Sequence, residues 1–297
     1  GSLDGGDRDS MADAMFNEPI LENGPLRIKA CRHGRLMYLA NDLYVGQSLD
    51  RYGEYSEGEV HLFEYAIKPG MVVLDIGANI GAHTVVFART VGAGGMVLAF
   101  EPQRFLFQIL CGNMALNRLA NVRCHHAAVG REHGRITVPR LDYDAEENFG
   151  GLSLGHSDSD ESVEAVTIDG LGLPACDFMK VDVEGMEGDV LTGAEQTVRR
   201  FRPTLYVEND RRDKSAQLIQ QLMDLDYRLY WHRPRMFNPD NYFQQKPAEN
   251  VAPSIVSPNM LGLHRSRSQE ISGTQEITSP QDWWQQTPAS PTETDER

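Results

Sequence analysis

The 297 residues carry a formal net charge of −15 and are 40% hydrophobic and 24% charged, which fits one large globular domain with appendages. That charge argues against a protein that tracks nucleic-acid phosphates, because such a protein displays a basic face. No apolar run is long enough to cross a bilayer and no charged-then-apolar leader opens the chain, so a membrane partner is not expected.

Residues 1–20 read as an expression remnant or flexible arm, with Met11 a candidate natural start. From Leu26 to Leu49, loose alternation and turn signals at His33-Gly34 and Asn41-Asp42 predict short hairpins. In "SEGEVHLFEYAIKPG", Ser56 and Glu59 have capping-box spacing, Val60, Phe63 and Ile67 share an apolar face, and Pro69-Gly70 end the helix. Residues 21–70 are therefore expected to form a small cap on a main domain spanning 71–264.

From residue 72 the chain alternates strand and helix. "MVVLDIG", "MVLAFEP" and "NVRCHHAAVG" read as strands, and "GAHTVVFART" and "RFLFQILCGNMALNRL" as helices between them, which implies a parallel sheet covered on both faces. Residues 131–170 break the rhythm with the extended pieces "GRITVPRL", "GGLSL" and "EAVTIDGL", a β insertion. The rhythm resumes with "DFMKVDVEG", a helix over 187–201, "PTLYVEND" and a helix over 214–225. "YRLYWHRP" and "SIVSPNMLGLH" close the domain as an antiparallel edge pair, and the polar composition of 265–297 predicts a disordered tail in which Trp283-Trp284 packs loosely on a surface. Four scattered cysteines (Cys31, Cys111, Cys124, Cys176) form no CxxC pair, so no structural zinc is predicted, and they fit small buried residues of a reducing cytoplasm.

Ligands of open α/β sheets lie beyond the carboxyl ends of the strands, which directs attention to "DIGANIG". Gly77 and Gly81 flank Ala78-Asn79-Ile80, with asparagine, the residue besides glycine that best tolerates the left-handed region, where related turns have a middle glycine. Asp75 would repel a diphosphate on the following helix but attract a ligand bearing an ammonium and a sulfonium. Glu101, about twenty residues after Gly81, stands where an acid meets a ribose diol. S-adenosylmethionine satisfies all three features.

"VVLDIGANIGAHTVVFA", "AFEP", "AAVG", "VTIDGL", "DFMKVDVEGMEGDVLTGA" and "RPTLYVEND" together resemble the FkbM family of S-adenosylmethionine-dependent methyltransferases, over roughly residues 52–265. The resemblance implies a class I methyltransferase (Rossmann-like) α/β fold: a seven-stranded, mostly parallel sheet whose last strand is antiparallel. It implies a cofactor site of Asp75, Gly77, Ala78, Asn79, Gly81, Glu101, Pro102, Ala128 and Asp182. It further implies O-methylation of a hydroxyl on a small molecule, sugar or glycosylated metabolite.

An alcohol must lose its proton on methylation, so a general base or a metal is expected. In "FMKVDVEG", Lys180, Asp182 and Glu184 alternate with apolar residues and share one face at the ligand end of a strand. Asp182 and Glu208 are the catalytic candidates, with His83 at the start of the helix after Gly81 a third; His232 and the pair His125-His126 are weaker. Asp182 with Glu208-Asn209 also imitates the magnesium site of catechol-type O-methyltransferases, so Mg2+ is a candidate cofactor. A structural pairing of the same charges is the alternative. Tyr52, Glu54 and Tyr55, with Glu184 and Asn209, are candidates for acceptor contacts, and "ENFGGLSL" and "FNPDNYF" for cleft walls. N-methylation, a nicotinamide-dependent oxidoreductase and a non-catalytic cofactor-binding protein are the competing readings, and oligomeric state has no signal.

Overall fold

The computed structural model describes residues 17–151, 161–247, 255–268, 271 and 273–285. In chain order the elements begin with β1 (Leu21–Asn23), β2 (Leu26–Cys31), β3 (Gly34–Leu39), α1 (Val45–Tyr52) and α2 (Glu57–Ala66). The alternating core follows as β4 (Val72–Ile76), α3 (Ala82–Val91), β5 (Met96–Phe100), α4 (Arg104–Leu116) and β6 (Val122–His125). The insertion contributes β7 (Ala128–Val129), β8 (Gly134–Val138) and β9 (Glu161–Val166). The remainder is β10 (Phe178–Val181), α5 (Glu187–Thr192), α6 (Glu195–Phe201), β11 (Thr204–Glu208), α7 (Arg212–Asp224), β12 (Tyr227–His232), β13 (Asn259–His264) and β14 (Gln275–Ile277).

The main sheet runs β14-β12-β13-β11-β10-β4-β5-β6. Strands β11, β10, β4, β5 and β6 pair in parallel, and β13 is antiparallel to both β11 and β12. This is the class I methyltransferase arrangement with eight strands instead of seven. The extra strand, β14, comes from the tail read as disordered; it pairs antiparallel with β12 and closes that edge of the sheet. The two strands expected as an antiparallel pair do pair, with β13 lying between β11 and β12, and only β14 stands outside them at the edge. Trp283 is buried edge-on against Trp231 at 6.4 Å, so the tryptophan pair belongs to the domain and is not loose surface.

Period-two alternation along the strands sends Leu74, Ile76, Met179, Val181, Leu205 and Val207 into one apolar layer, where α5, α6 and α7 cover them. The other face carries Val73, Val97, Phe178 and Tyr206 under α2 and α3. Phe63 of α2 meets Phe87, Phe178 and Tyr206 edge-on at 5.0, 5.9 and 4.9 Å. Burial of each such ring contributes about 1.5–3 kcal/mol.

Three local expectations change, and a fourth is not tested. Ser56 sits at φ 47° and makes no side-chain cap, because Glu59 turns inward and leaves the capping box unformed. The third strand stops at His125, and Ala128–Val129 instead pairs with β9 in the small sheet β7-β9-β8. The helix expected over 187–201 is two helices broken at Gly193-Ala194. Gly193 is where the backbone of Gly130 passes so close that a Cβ would collide with its carbonyl. The strand expected in "GGLSL" falls largely on residues outside those described.

Candidate active site

A cleft of about 530 Å³ opens across the carboxyl ends of β4, β5, β10 and β11. Its first end is built from backbone. Gly77 holds φ 83° because the carbonyl of Asp182 passes where a Cβ would stand, and Asn79 takes the left-handed conformation at φ 52°. Two amides hold Glu101: Asn79 N–H of the turn donates to Oε2 and Gln103 N–H, just past β5, to Oε1, each at 2.8 Å. Burial pushes the Glu101 carboxyl up to about 7, with those two amides pulling the other way. Ala78, Pro102 and Ala128 line the same end with Leu106 and Phe149. Gly81 does not reach the cleft. It starts α3 at φ 86°, and a Cβ there would strike Leu110 at 2.6 Å, so its role is helix packing.

The middle of the cleft holds charge on one sheet row. Register pairs Asp75 with Lys180 and Lys180 with Tyr206, so all three point to the α2/α3 face. Asp75 is fully buried; its Oδ2 accepts from Thr84 Oγ1 at 2.6 Å, and Lys180 Nζ lies 3.8 Å from its Oδ1. Burial raises its pKa, and Lys180 and Thr84 oppose the rise. Lys180 also donates to Asp182 Oδ2 at 2.9 Å. Burial works against the Lys180 charge, yet Asp182 and Asp75 outweigh it and raise the pKa, so the ammonium stays protonated.

The second end is acidic. Asp182, Glu184 and Glu208 bring carboxylate oxygens within 4.8 Å of one another. Asp182 keeps 36% of its side chain exposed toward the cleft. Burial would raise its pKa, but Lys180 holds it below the usual carboxylate value. Glu208 goes the other way: burial, then the charges of Asp182, Glu184 and Asp210, raise it well above the ordinary value. Burial and Asp182 push Glu184 up to about 7, although Arg211 donates to its Oε2 at 2.7 Å. Glu184 also sits at φ 55°, a left-handed conformation that costs a non-glycine residue about 1–2 kcal/mol. Met236, Ile255, Val256 and Trp284 wall this end with apolar surface.

Several expected contacts fall elsewhere. Asn209 lies outside the cleft lining, its N–H donating to the Pro258 carbonyl and its Nδ2 to Met260 Sδ at 3.3 Å, and the acidic groups that converge are Asp182, Glu208 and Glu184. Tyr52 packs edge-on against Phe237 at 5.3 Å, outside the cleft. Glu54 accepts from Arg32 at 2.6 Å and from Asn238 and the Tyr242 amide at 2.8 Å, which ties the "FNPDNYF" loop to the cap. Tyr55 does line the cleft, as does His83. Sequence reasoning passed over Glu59, whose capping-box spacing pointed to a surface role; it is buried and lines the cleft beside His83.

The family model described as "Methyltransferase FkbM domain" matches residues 75–229. Among solved structures, the chain is similar to an FkbM methyltransferase from Methylobacillus flagellatus at 14% identity and TM-score 0.45, covering 86% of this chain and 59% of that one. It is also similar to a SAM-dependent O-methyltransferase from Thermotoga maritima (15% identity, TM-score 0.42, 83% of this chain and 80% of that one). A precorrin-6y C5,15-methyltransferase from Geobacter metallireducens aligns at 14% identity and TM-score 0.44, over 69% of this chain and 87% of that one. No curated protein matches the chain. The chain spans 59% of the length of the Methylobacillus structure. Among the described residues, no helix is long and apolar enough to cross a membrane.

Proposed function

The chain belongs to the FkbM methyltransferase family, and on that premise we propose that it is an S-adenosylmethionine-dependent methyltransferase that methylates a hydroxyl group of a small molecule, sugar or glycosylated metabolite. The observation that carries this reading is the acidic end of the cleft, where Asp182, Glu184 and Glu208 converge beside an open face of Asp182. A cluster of carboxylates stabilises the ammonium form of an amine acceptor, and an ammonium has no lone pair to attack with. A hydroxyl suffers no such penalty and gains hydrogen-bond acceptors.

The residues at the other end fit the cofactor. Glu101 faces the cleft with its oxygens already oriented by two amides, ready to accept from a ribose diol. Asp75 Oδ1 is buried without a hydrogen-bond partner among the described residues, an acceptor left over at the middle of the cleft. The volume suits a ligand of this size. When bound, the cofactor supplies a methyl carbon already activated by its sulfonium, which leaves alignment and deprotonation to the protein.

The two carboxylates named from sequence divide the work. Lys180 keeps Asp182 ionised and weakly basic, so it serves as the hydrogen-bond acceptor that aims the acceptor oxygen. Glu208 is raised well above the ordinary carboxylate value by burial and then by the charges of Asp182, Glu184 and Asp210, and its Oε2 is buried without a hydrogen-bond partner among the described residues. Lys180 and Arg211 meet the charge of Asp182 and Glu184 from within, so transfer does not require magnesium, and activity is expected to survive prolonged chelation. The decisive experiment is transfer of a radiolabelled methyl group to matched sugars that differ only in carrying a hydroxyl or an amine. Label on the hydroxyl partner supports the reading; label confined to the amine nitrogen overturns it.

A further inference from the structure

Lys180 donates to Asp182, and Glu184 and Glu208 bring carboxylate oxygens within 4.8 Å of it, so the acidic cluster is engaged with its own partners. The search for the base leads below the cleft, to a second set of buried polar groups that no motif announced. Glu59 is buried, and one of its oxygens is saturated: Tyr206 Oη, Asn259 Nδ2 and Ser257 Oγ donate to Oε1 at 3.1, 2.8 and 3.3 Å. Its other oxygen, Oε2, lies 3.6 Å from His83 Nε2. That nitrogen is buried with no hydrogen-bond partner among the described residues, while the ring lines the cleft. Tyr55 and Phe63 hold the ring, with centroids at 5.3 and 5.1 Å. The 3.6 Å gap is just longer than a hydrogen bond, as catalytic contacts often are before substrate binds; once it closes, a carboxylate anchored by three donors on its other oxygen orients the ring, because the hydrogen bond on one ring nitrogen sets which nitrogen keeps the proton.

We propose that Glu59 is a positioning residue that acts through His83: it holds the proton on Nε2 and leaves Nδ1 as the base that takes the acceptor's hydroxyl proton. This rests on the O-methylation reading. As the acceptor oxygen bonds the methyl carbon and the carbon–sulfur pair leaves with sulfur, the hydroxyl proton passes to Nδ1. The groups facing His83 are Glu59 and Tyr55 from α2 and its approach, Lys180 of β10 and Asp182 just beyond it, and His33 from the hairpin. Burial first, then Lys180, pull the ring down to about 3 against Asp182, so it is neutral near neutral pH and its tautomer is observable.

The substitution Glu59→Gln tests the inference without an acceptor. Tyr206, Asn259 and Ser257 all donate, so they retain the amide oxygen at the Oε1 position and turn the amide nitrogen toward His83. The tautomer must then reverse. Long-range proton–nitrogen spectra of histidine-labelled protein, assigned with His83→Gln, are expected to show Nε2–H in the parent and Nδ1–H in Glu59→Gln. S-adenosylhomocysteine binding confirms that the variant is folded. An Nδ1–H tautomer in the parent, or the same tautomer in both proteins, overturns the inference. If Glu59→Gln does not fold, the parent spectrum decides alone. A protein with the expected tautomers that methylates only amines would instead remove the O-methylation reading and leave the Glu59–His83 geometry standing.

Discussion

The two ends of the cleft, proposed above to hold the cofactor and the acceptor, are made differently. At the cofactor end, Glu101 is positioned by amides two residues along and twenty-two residues back, through one glycine turn and one strand end. At the acceptor end, each group is set by side chains far away in sequence: Glu184 by Arg211, Glu59 by Tyr206, Ser257 and Asn259, and the wall by Trp284 from the tail. A backbone-built end tolerates sequence change around it and serves one ligand. A side-chain-built end changes with each substitution, which is how loops on such folds come to vary specificity.

Lys180 joins the two ends, and its loss should produce the largest effect. Lys180→Met keeps the stem but leaves Asp75 and Asp182 without their cation; breaking a buried pair in this way costs about 3–5 kcal/mol. Chemical denaturation measures it, and a loss below about 1 kcal/mol would mean that the ends are independent. Next in size, Asp182→Asn should lower turnover roughly 100-fold by loosening the acceptor's alignment, while S-adenosylhomocysteine affinity stays nearly constant. Isothermal calorimetry beside a turnover assay separates the two. Glu101→Ala should do the reverse, weakening S-adenosylhomocysteine roughly 10–100-fold through loss of charge-assisted hydrogen bonds worth about 1.5–3 kcal/mol. Unchanged affinity would remove the ribose contact from the cofactor end.

A smaller effect divides the ends by pH. Glu101 and Glu184 both titrate at about 7 in the folded protein against an ordinary 4.5. Below 4.5 both are protonated, folded or unfolded, and contribute no pH dependence. Between 4.5 and 7 the folded chain binds protons that the unfolded chain has released, so stability falls as pH rises through that window and levels off above it. Glu101→Gln and Glu184→Gln should each flatten part of the slope in melting curves. Only Glu101→Gln should also abolish the rise in cofactor affinity as the carboxyl ionises toward neutral pH.

How much of this was readable beforehand follows the same division. The strand–helix alternation, the tolerance of Asn79 for the left-handed turn, and the placing of Glu101 at a strand end are local properties, and composition and spacing exposed them. Period two also put Lys180 and Asp182 on one face. What spacing could not expose was the fate of each carboxylate. Ser56 and Glu59 have capping-box spacing, yet Glu59 meets donors about 150 to 200 residues away in sequence and the cap never forms. Glu54 and Asn209 looked like ligand contacts because they are polar and near the right loops; Arg32 and Met260 claim them instead. Strand β14 was hidden because three residues pairing at an edge leave almost no periodic signal in a polar tail.

That tail supplies the smallest and sharpest test. Trp284 lines the acceptor end, its carbonyl accepts from Arg233 at 2.8 Å, and its ring packs against Trp283 at 5.7 Å. Its indole Nε1 is buried without a partner among the described residues. A buried donor left unpaired costs about 1–3 kcal/mol, so Trp284→Phe removes that penalty along with some packing. The two nearly cancel, and the melting transition should move by less than about 0.5 kcal/mol in stability. Cofactor affinity should not change at all, because the residue stands at the other end of the cleft. The acceptor's KM should rise several-fold if the indole N–H meets the acceptor. An unchanged KM with unchanged stability would place the tail outside the acceptor end and leave that end to Met236, Ile255 and Val256 alone.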